Sequence, residues 1–167
     1  MSRAFVKEDR PDTEPLPDLP VSPHPNYVTP RGLALLRARL AGVQATLAEL
    51  RARPDRLDRL PEKAAERDIR YLEARLRGAI LVQPPAEAPA EVGFGLTVTV
   101  ADEDGAETAY TIVGEDEADP ARGLIAAPSP LARALIGTRV GDEVTWARPA
   151  GAVGLEVLAI AVPEAGE

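Results

Sequence analysis

Residues 28–82, VTPRGLALLRARLAGVQATLAELRARPDRLDRLPEKAAERDIRYLEARLRGAILV, decide the architecture of this chain. Leu33, Leu36, Leu40, Val43, Leu47 and Leu50 advance by three, four, three, four and three residues, the spacing that keeps an apolar seam on one helical face. Ala65, Ile69, Leu72, Leu76 and Ala79 repeat the rhythm beyond a proline-marked turn. Neither stripe is stable in water by itself, and the nearest partner of each is the other. The spacing therefore predicts an antiparallel helical hairpin that projects its turn away from both chain ends. Thr29 is placed as N-cap and Pro30 as first helical residue, with Val28 positioned to pack on Leu33. Gly32 and Gly42 each weaken the first helix by roughly 0.5–1 kcal/mol relative to alanine. Pro54 ends that helix and Pro61 opens the second, which leaves Asp55-Arg56-Leu57-Asp58-Arg59-Leu60 as the tip.

On the N-terminal side, residues 1–27 carry Pro11, Pro15, Pro17, Pro20, Pro23 and Pro25 and read as an extended arm, partly disordered when free. Ala4-Phe5-Val6 is a short apolar patch within it, able to dock on the body or on another protein. On the C-terminal side, 83–91 is a linker rich in proline and alanine, and a second domain is expected over 92–163, with 164–167 as a tail. Leu96, Val98 and Val100 alternate with threonines, Asp102-Glu103-Asp104-Gly105 turns, and Thr108 to Val113 returns as a second strand. Gly114 to Pro120 is an acidic loop, followed by the apolar Leu124-Ile125. Ser129 and Pro130 open a short helix whose buried side is Leu131, Leu135 and Ile136, and Gly137 closes it in a left-handed conformation. Strands over 144–147 and 154–162 complete a small, strongly bent antiparallel sheet around that helix, an α+β arrangement overall.

Composition narrows the chemistry. With no cysteine, disulfides and thiolate metal sites are excluded, and a single histidine, His24, makes a histidine metal site improbable. No apolar run approaches the length of a membrane span, so a soluble cytoplasmic protein without a membrane partner is expected. The net charge of -8 is unevenly distributed, with 12 basic and 7 acidic residues over 29–82 against 4 basic and 15 acidic over 83–167. A basic hairpin on an acidic body could be oriented by the field of a large partner, or its arginines could simply keep an exposed hairpin soluble. Trp146 and Tyr110 are expected in or near the core rather than as a stacking platform for nucleic acid, since aromatics are few and no basic patch interleaves with them.

The tip offers the most specific chemistry. Asp55 and Asp58 stand three residues apart, so a turn can place both carboxylates on one side, where two oxygen donors could share a divalent cation such as magnesium with ligands from elsewhere. They do not make a complete metal site, and surface acid pairs are usually structural. Arg56 and Arg59 beside them can meet phosphate or neutralise the aspartates. The distal run Glu115, Asp116, Glu117 and Asp119 lacks the ligand sequence of an EF-hand.

Tyr27-Val28-Thr29-Pro30-Arg31-Gly32-Leu33, the leucine seam, Ile112-Val113-Gly114-Glu115-Asp116-Glu117-Ala118-Asp119, Ser129-Pro130-Leu131-Ala132-Arg133-Ala134-Leu135-Ile136-Gly137 and Val140-Gly141-Asp142-Glu143-Val144 together resemble the bacterial GreA/GreB transcript-cleavage factor family over residues 26–162. Ser2-Arg3-Ala4-Phe5-Val6-Lys7-Glu8 is similar to an extension of a Gre-like subgroup. The resemblance implies a coiled coil that enters the secondary channel of bacterial RNA polymerase and an FKBP-like domain that docks at its entrance. Nascent RNA would be met only inside the elongation complex. It implies no enzyme activity and no cofactor of the chain's own: Asp55 and Asp58 would help polymerase hold its second Mg2+ and stimulate its cleavage of backtracked RNA. Glu115, Asp116, Glu117, Asp119, Ser129, Pro130, Leu131 and Arg133 would belong to the polymerase-docking domain. The family's Gly-Asp-Leu-x-Glu-Asn-Ala-Glu-Tyr type of tip is absent, and each arm is shorter than in typical relatives by about one heptad, about 10 Å of reach. Three readings stay open: a cleavage factor, a channel occupant that alters nucleotide access, pausing or initiation without cleavage, and a coiled-coil module that dimerises and has no transcriptional role. A monomer is expected in the first two.

Overall fold

The computed structural model describes residues 14–55 and 57–163. The Ala4-Phe5-Val6 patch, the Ser2 to Glu8 extension and Arg56 lie outside the described residues. Helix α1 spans Pro30–Ala52 and helix α2 spans Leu60–Arg77. The Thr29 hydroxyl accepts from the Gly32 amide at 2.9 Å, the cap expected from sequence, and Arg53 follows the last helical residue just before Pro54. Arg51, late in α1, pairs with Glu66, early in α2, at 2.7 Å, as antiparallel arms require. Both ends of that pair are half in water, so it contributes at most about 1 kcal/mol. The seam carries more: Leu36, Leu47, Ala65 and Leu72 are buried, and Leu33, Leu40, Val43, Tyr71 and Leu76 pack against the cluster that Leu36 and Leu72 form with Val28. Each fully buried leucine stabilises the pair by about 1.5–3 kcal/mol. The seam is thus closed within one chain.

The second helix ends earlier than the apolar rhythm suggests. Gly78 follows Arg77, and Ala79–Leu81 forms strand β2, paired in parallel with β1, Asn26–Val28. A glycine costs helix about 1 kcal/mol, and the Ile80-Leu81-Val82 run favours extended backbone, so the chain leaves the helix there. The Val82 amide donates to the Val28 carbonyl at 2.9 Å and extends the ladder. Parallel pairing of such short strands is possible because the whole hairpin is the crossover between them. Val28, expected to pack on Leu33, is buried in the same cluster as Leu33 and also belongs to this ladder.

Beyond it, β3 (Thr97–Asp102), β4 (Glu107–Val113), β5 (Leu124–Ala126), β6 (Glu143–Trp146) and β7 (Val153–Ala161) form one sheet in the order β5-β4-β3-β7-β6. Three of its pairings are antiparallel, and β5 runs parallel to β4. The acidic loop and a 3-10 turn at Pro120–Arg122 carry the chain across between those two strands. A register shift between β3 and β7 at Thr99/Val100 bends the sheet. It also lets Leu155 and Val157 face inward before it and Ile160 after it, a change of parity that strict alternation would not predict. Helix α3, Pro130–Leu135, closes the core with Leu131, Ala132 and Leu135 against Val98, Val100, Ile112 and Val157. Ser129 caps it by accepting from the Ala132 amide, and Gly137 after it has φ 85°. Tyr110 and Trp146 meet edge to face with centroids 6.5 Å apart at the margin of this core.

Candidate functional site

Two places in the fold concentrate polar chemistry: the tip of the hairpin and its base. At the tip, Asp55 Oδ1 accepts from the Leu57 amide at 3.1 Å and Asp58 Oδ1 accepts from the Leu60 amide at 2.9 Å. Each aspartate therefore folds its own turn, which follows from a short carboxylate reaching the backbone two residues on. Both remain exposed, and Leu57 between them is 89% exposed. Arg59 reaches forward to Glu62, with 3.9 Å between charged atoms. Among the described residues, no group of three or more His, Cys, Asp or Glu is placed to hold a metal ion.

At the base, the acidic loop after β4 folds over both helices. Arg75 is only 2% exposed and donates from Nε to Asp116 Oδ2 at 2.6 Å and from Nη2 to Asn26 Oδ1 at 2.7 Å, with Glu115 Oε2 at 3.5 Å. Asn26 returns a bond from Nδ2 to the Arg75 carbonyl at 2.8 Å, which ties β1 to α2. The Tyr71 hydroxyl donates to the other oxygen of Asp116 at 3.1 Å. Burial, and then the negative charge of Asp116, push the Tyr71 phenol above its ordinary value of 10.0. A buried guanidinium is tolerable only with such partners, and the fork geometry of arginine supplies the bonds in several directions.

Glu117 makes the other half of the joint. Its Oε2 accepts from the Thr29 hydroxyl at 2.6 Å, directly over the first turn of α1, and Arg31 lies 3.7 Å from its Oε1. A carboxylate there meets the positive end of the helix. Gly32 is what lets it in, since a Cβ at that position would stand 2.6 Å from Glu117 Oε2. Gly114 serves the same end, because a Cβ there would stand 2.5 Å from the Tyr27 carbonyl oxygen.

The expected docking residues divide accordingly. Glu115, Asp116 and Glu117 are turned onto the hairpin, and Leu131 is 3% exposed within the core. Asp119 is half-buried and anchors the parallel crossover through its backbone to Leu124. Ser129 caps α3, while Pro130 and Arg133 stay exposed, with Ile136 and Val140 exposed nearby in sequence. Sequence reasoning missed Arg75, Asn26 and Tyr71. The signal was the charge contrast between the two halves of the chain, part of which is spent internally between arginines of the hairpin and this loop.

A paired-helix projection with acid at its end and a sheet body locked to its base has the build of a factor that docks on another assembly. Residues 87–162 match the family described as transcription elongation factor, GreA/GreB, C-term. Transcription elongation factor GreA of Hyphomonas neptunium is 37% identical over 149 residues, a match covering 80% of this chain and 95% of that protein. GreA of Geobacillus kaustophilus is 43% identical over 96 residues, covering 57% of this chain and 61% of its own length. The crystal structure of Gfh1, a GreA factor homolog of Thermus thermophilus, shares 26% identity over 82% of this chain and 99% of its own, with a TM-score of 0.40. This chain belongs to the GreA/GreB family of transcription elongation factors. None of its described helices is long and apolar enough to cross a membrane.

Proposed function

We propose that this chain binds bacterial RNA polymerase through the secondary channel, hairpin first, and modulates transcription elongation. The observation that carries the reading is the exposed two-aspartate tip at the far end of paired helices whose base is locked to the body through Arg75. With 23 residues, α1 is about 34 Å long, so the acidic end acts far from where the sheet body would dock. Pro130 and Arg133 are the exposed members of the expected docking set and would meet the polymerase there. The chain is not the enzyme in this reading, because the phosphodiester chemistry belongs to polymerase.

Asp55 and Asp58 suit a Mg2+ held by polymerase, since that ion takes one or two carboxylates and otherwise keeps water and phosphate oxygens. Bound there, it would activate water for cleavage of backtracked RNA. The task of the tip is to hold both carboxylates at one end of a stiff lever. A second reading, occupancy of the channel without cleavage, is favoured by one observation: an oxygen of each aspartate is already engaged with a backbone amide. Cleavage assays on backtracked complexes separate them. Stimulated RNA shortening that is lost in Asp55→Asn and Asp58→Asn supports the first, unchanged RNA length with demonstrated binding supports the second, and failure to bind polymerase removes both.

A further inference from the structure

The segment before β1 lies along the hairpin. Arg70, within α2, donates from Nε to Asp18 Oδ1 at 2.6 Å and from Nη2 to the Leu16 carbonyl at 2.8 Å. Further on, the Ser22 hydroxyl donates to Glu115 Oε1 at 3.0 Å. Residues 16–22 thus run from the body of α2 down to the joint as a third chain beside the two helices. Pro15, Pro17, Pro20 and Pro23 fix much of the backbone extended and withhold amide donors, so the segment stays stiff without joining a ladder. Leu16 and Leu19 are half-buried, while Val21 is 50% exposed and the prolines face outward.

We infer that residues 14–25 form a collar that sets how deeply the hairpin enters the polymerase channel, fastened by the Asp18–Arg70 pair; the inference rests on the channel reading above. A probe advances until its cross-section exceeds the opening, and among the described residues this one widens from two chains to three at the level of Arg70. Ten residues separate Leu60 from Arg70, so about 15 Å of α2 lies ahead of the collar. Seven residues separate Arg70 from Arg77, so about 10 Å lies behind its leading edge. The fastening is light, with Asp18 75% and Arg70 38% exposed, so the collar is releasable without disturbing the seam.

The chain has no cysteine, so Leu57→Cys at the exposed tip gives a unique point for a tethered iron chelate that cuts nearby polypeptide. On polymerase complexes of the full-length protein, Arg70→Ala should move the cut positions inward by about 10 Å. Asp18→Ala, on the exposed segment and unable to unfold the helices, should do the same. The exchanged pair, Asp18→Arg with Arg70→Asp, should return the cuts to their starting positions. Unchanged positions in both single variants overturn the collar, as do positions that stay deep in the exchanged pair. Absence of any cut by the otherwise unsubstituted protein overturns the channel reading itself, and the collar with it.

Discussion

Arg75 and Asp116, 41 residues apart in sequence, meet at 2.6 Å with both side chains almost fully out of water, and through this contact the body holds the hairpin. Removing the cation alone strands Asp116, and Glu115 beside it, in a low-dielectric joint. Arg75→Ala should therefore lose about 3–5 kcal/mol of stability by denaturant unfolding. Arg75→Ala combined with Asp116→Ala should cost clearly less than the sum of the two single changes.

The phenol of Tyr71 contributes a pH dependence of defined sign. Its folded-state pKa is raised above the ordinary 10.0, so the unfolded chain loses this proton first as pH rises. The stability it supports is whole below pH 10 and is lost as pH climbs through the folded-state value. Unfolding measured on either side of pH 10 should show a steeper decline for the native sequence than for Tyr71→Phe.

Two glycines in α1 should respond oppositely to alanine. Nothing stands within 4 Å of a Cβ at Gly42, so Gly42→Ala should stabilise by about 0.5–1 kcal/mol through helix propensity. Gly32→Ala offers the same propensity but drives a methyl into Glu117, so it should destabilise by about 1–3 kcal/mol. Thermal unfolding of the two variants side by side tests the contrast, and equal shifts would show that Glu117 simply swings away.

At the tip, charge and turn geometry can be separated. Asn retains an oxygen acceptor for the Leu57 and Leu60 amides, whereas Ala does not. Asp55→Asn and Asp58→Asn should leave stability within about 0.5 kcal/mol of the parent, and the alanine changes should cost about 1 kcal/mol. A cleavage defect in the asparagine variants would then report the lost charge alone.

The elements that sequence made legible are those governed by neighbours along the chain. The seam from Leu33 to Leu50, the caps at Thr29 and Ser129, and the turn at Asp102 to Gly105 all follow from local spacing. The joint does not. Arg75 sits among the arginines of α2 and nothing local distinguishes it, because its partners Asn26 and Asp116 come from 49 and 41 residues away. Strands β1 and β2 have three residues each, too few to display a period, and their pairing exists only once the hairpin has closed. The aspartates of the tip were legible as a pair, but their turn-forming bonds depend on backbone direction that composition does not encode.

The adjacency of β1 and β2 leaves the two helices as a loop that departs from and returns to one spot on the body. Insertions or deletions of matched heptads in both arms would leave the Asn26 to Ala79 register and the Arg75 contacts where they are. Each such pair would alter projection by about 10 Å. Reach is therefore a variable this architecture can retune in quantised steps, independently of the surface that anchors it.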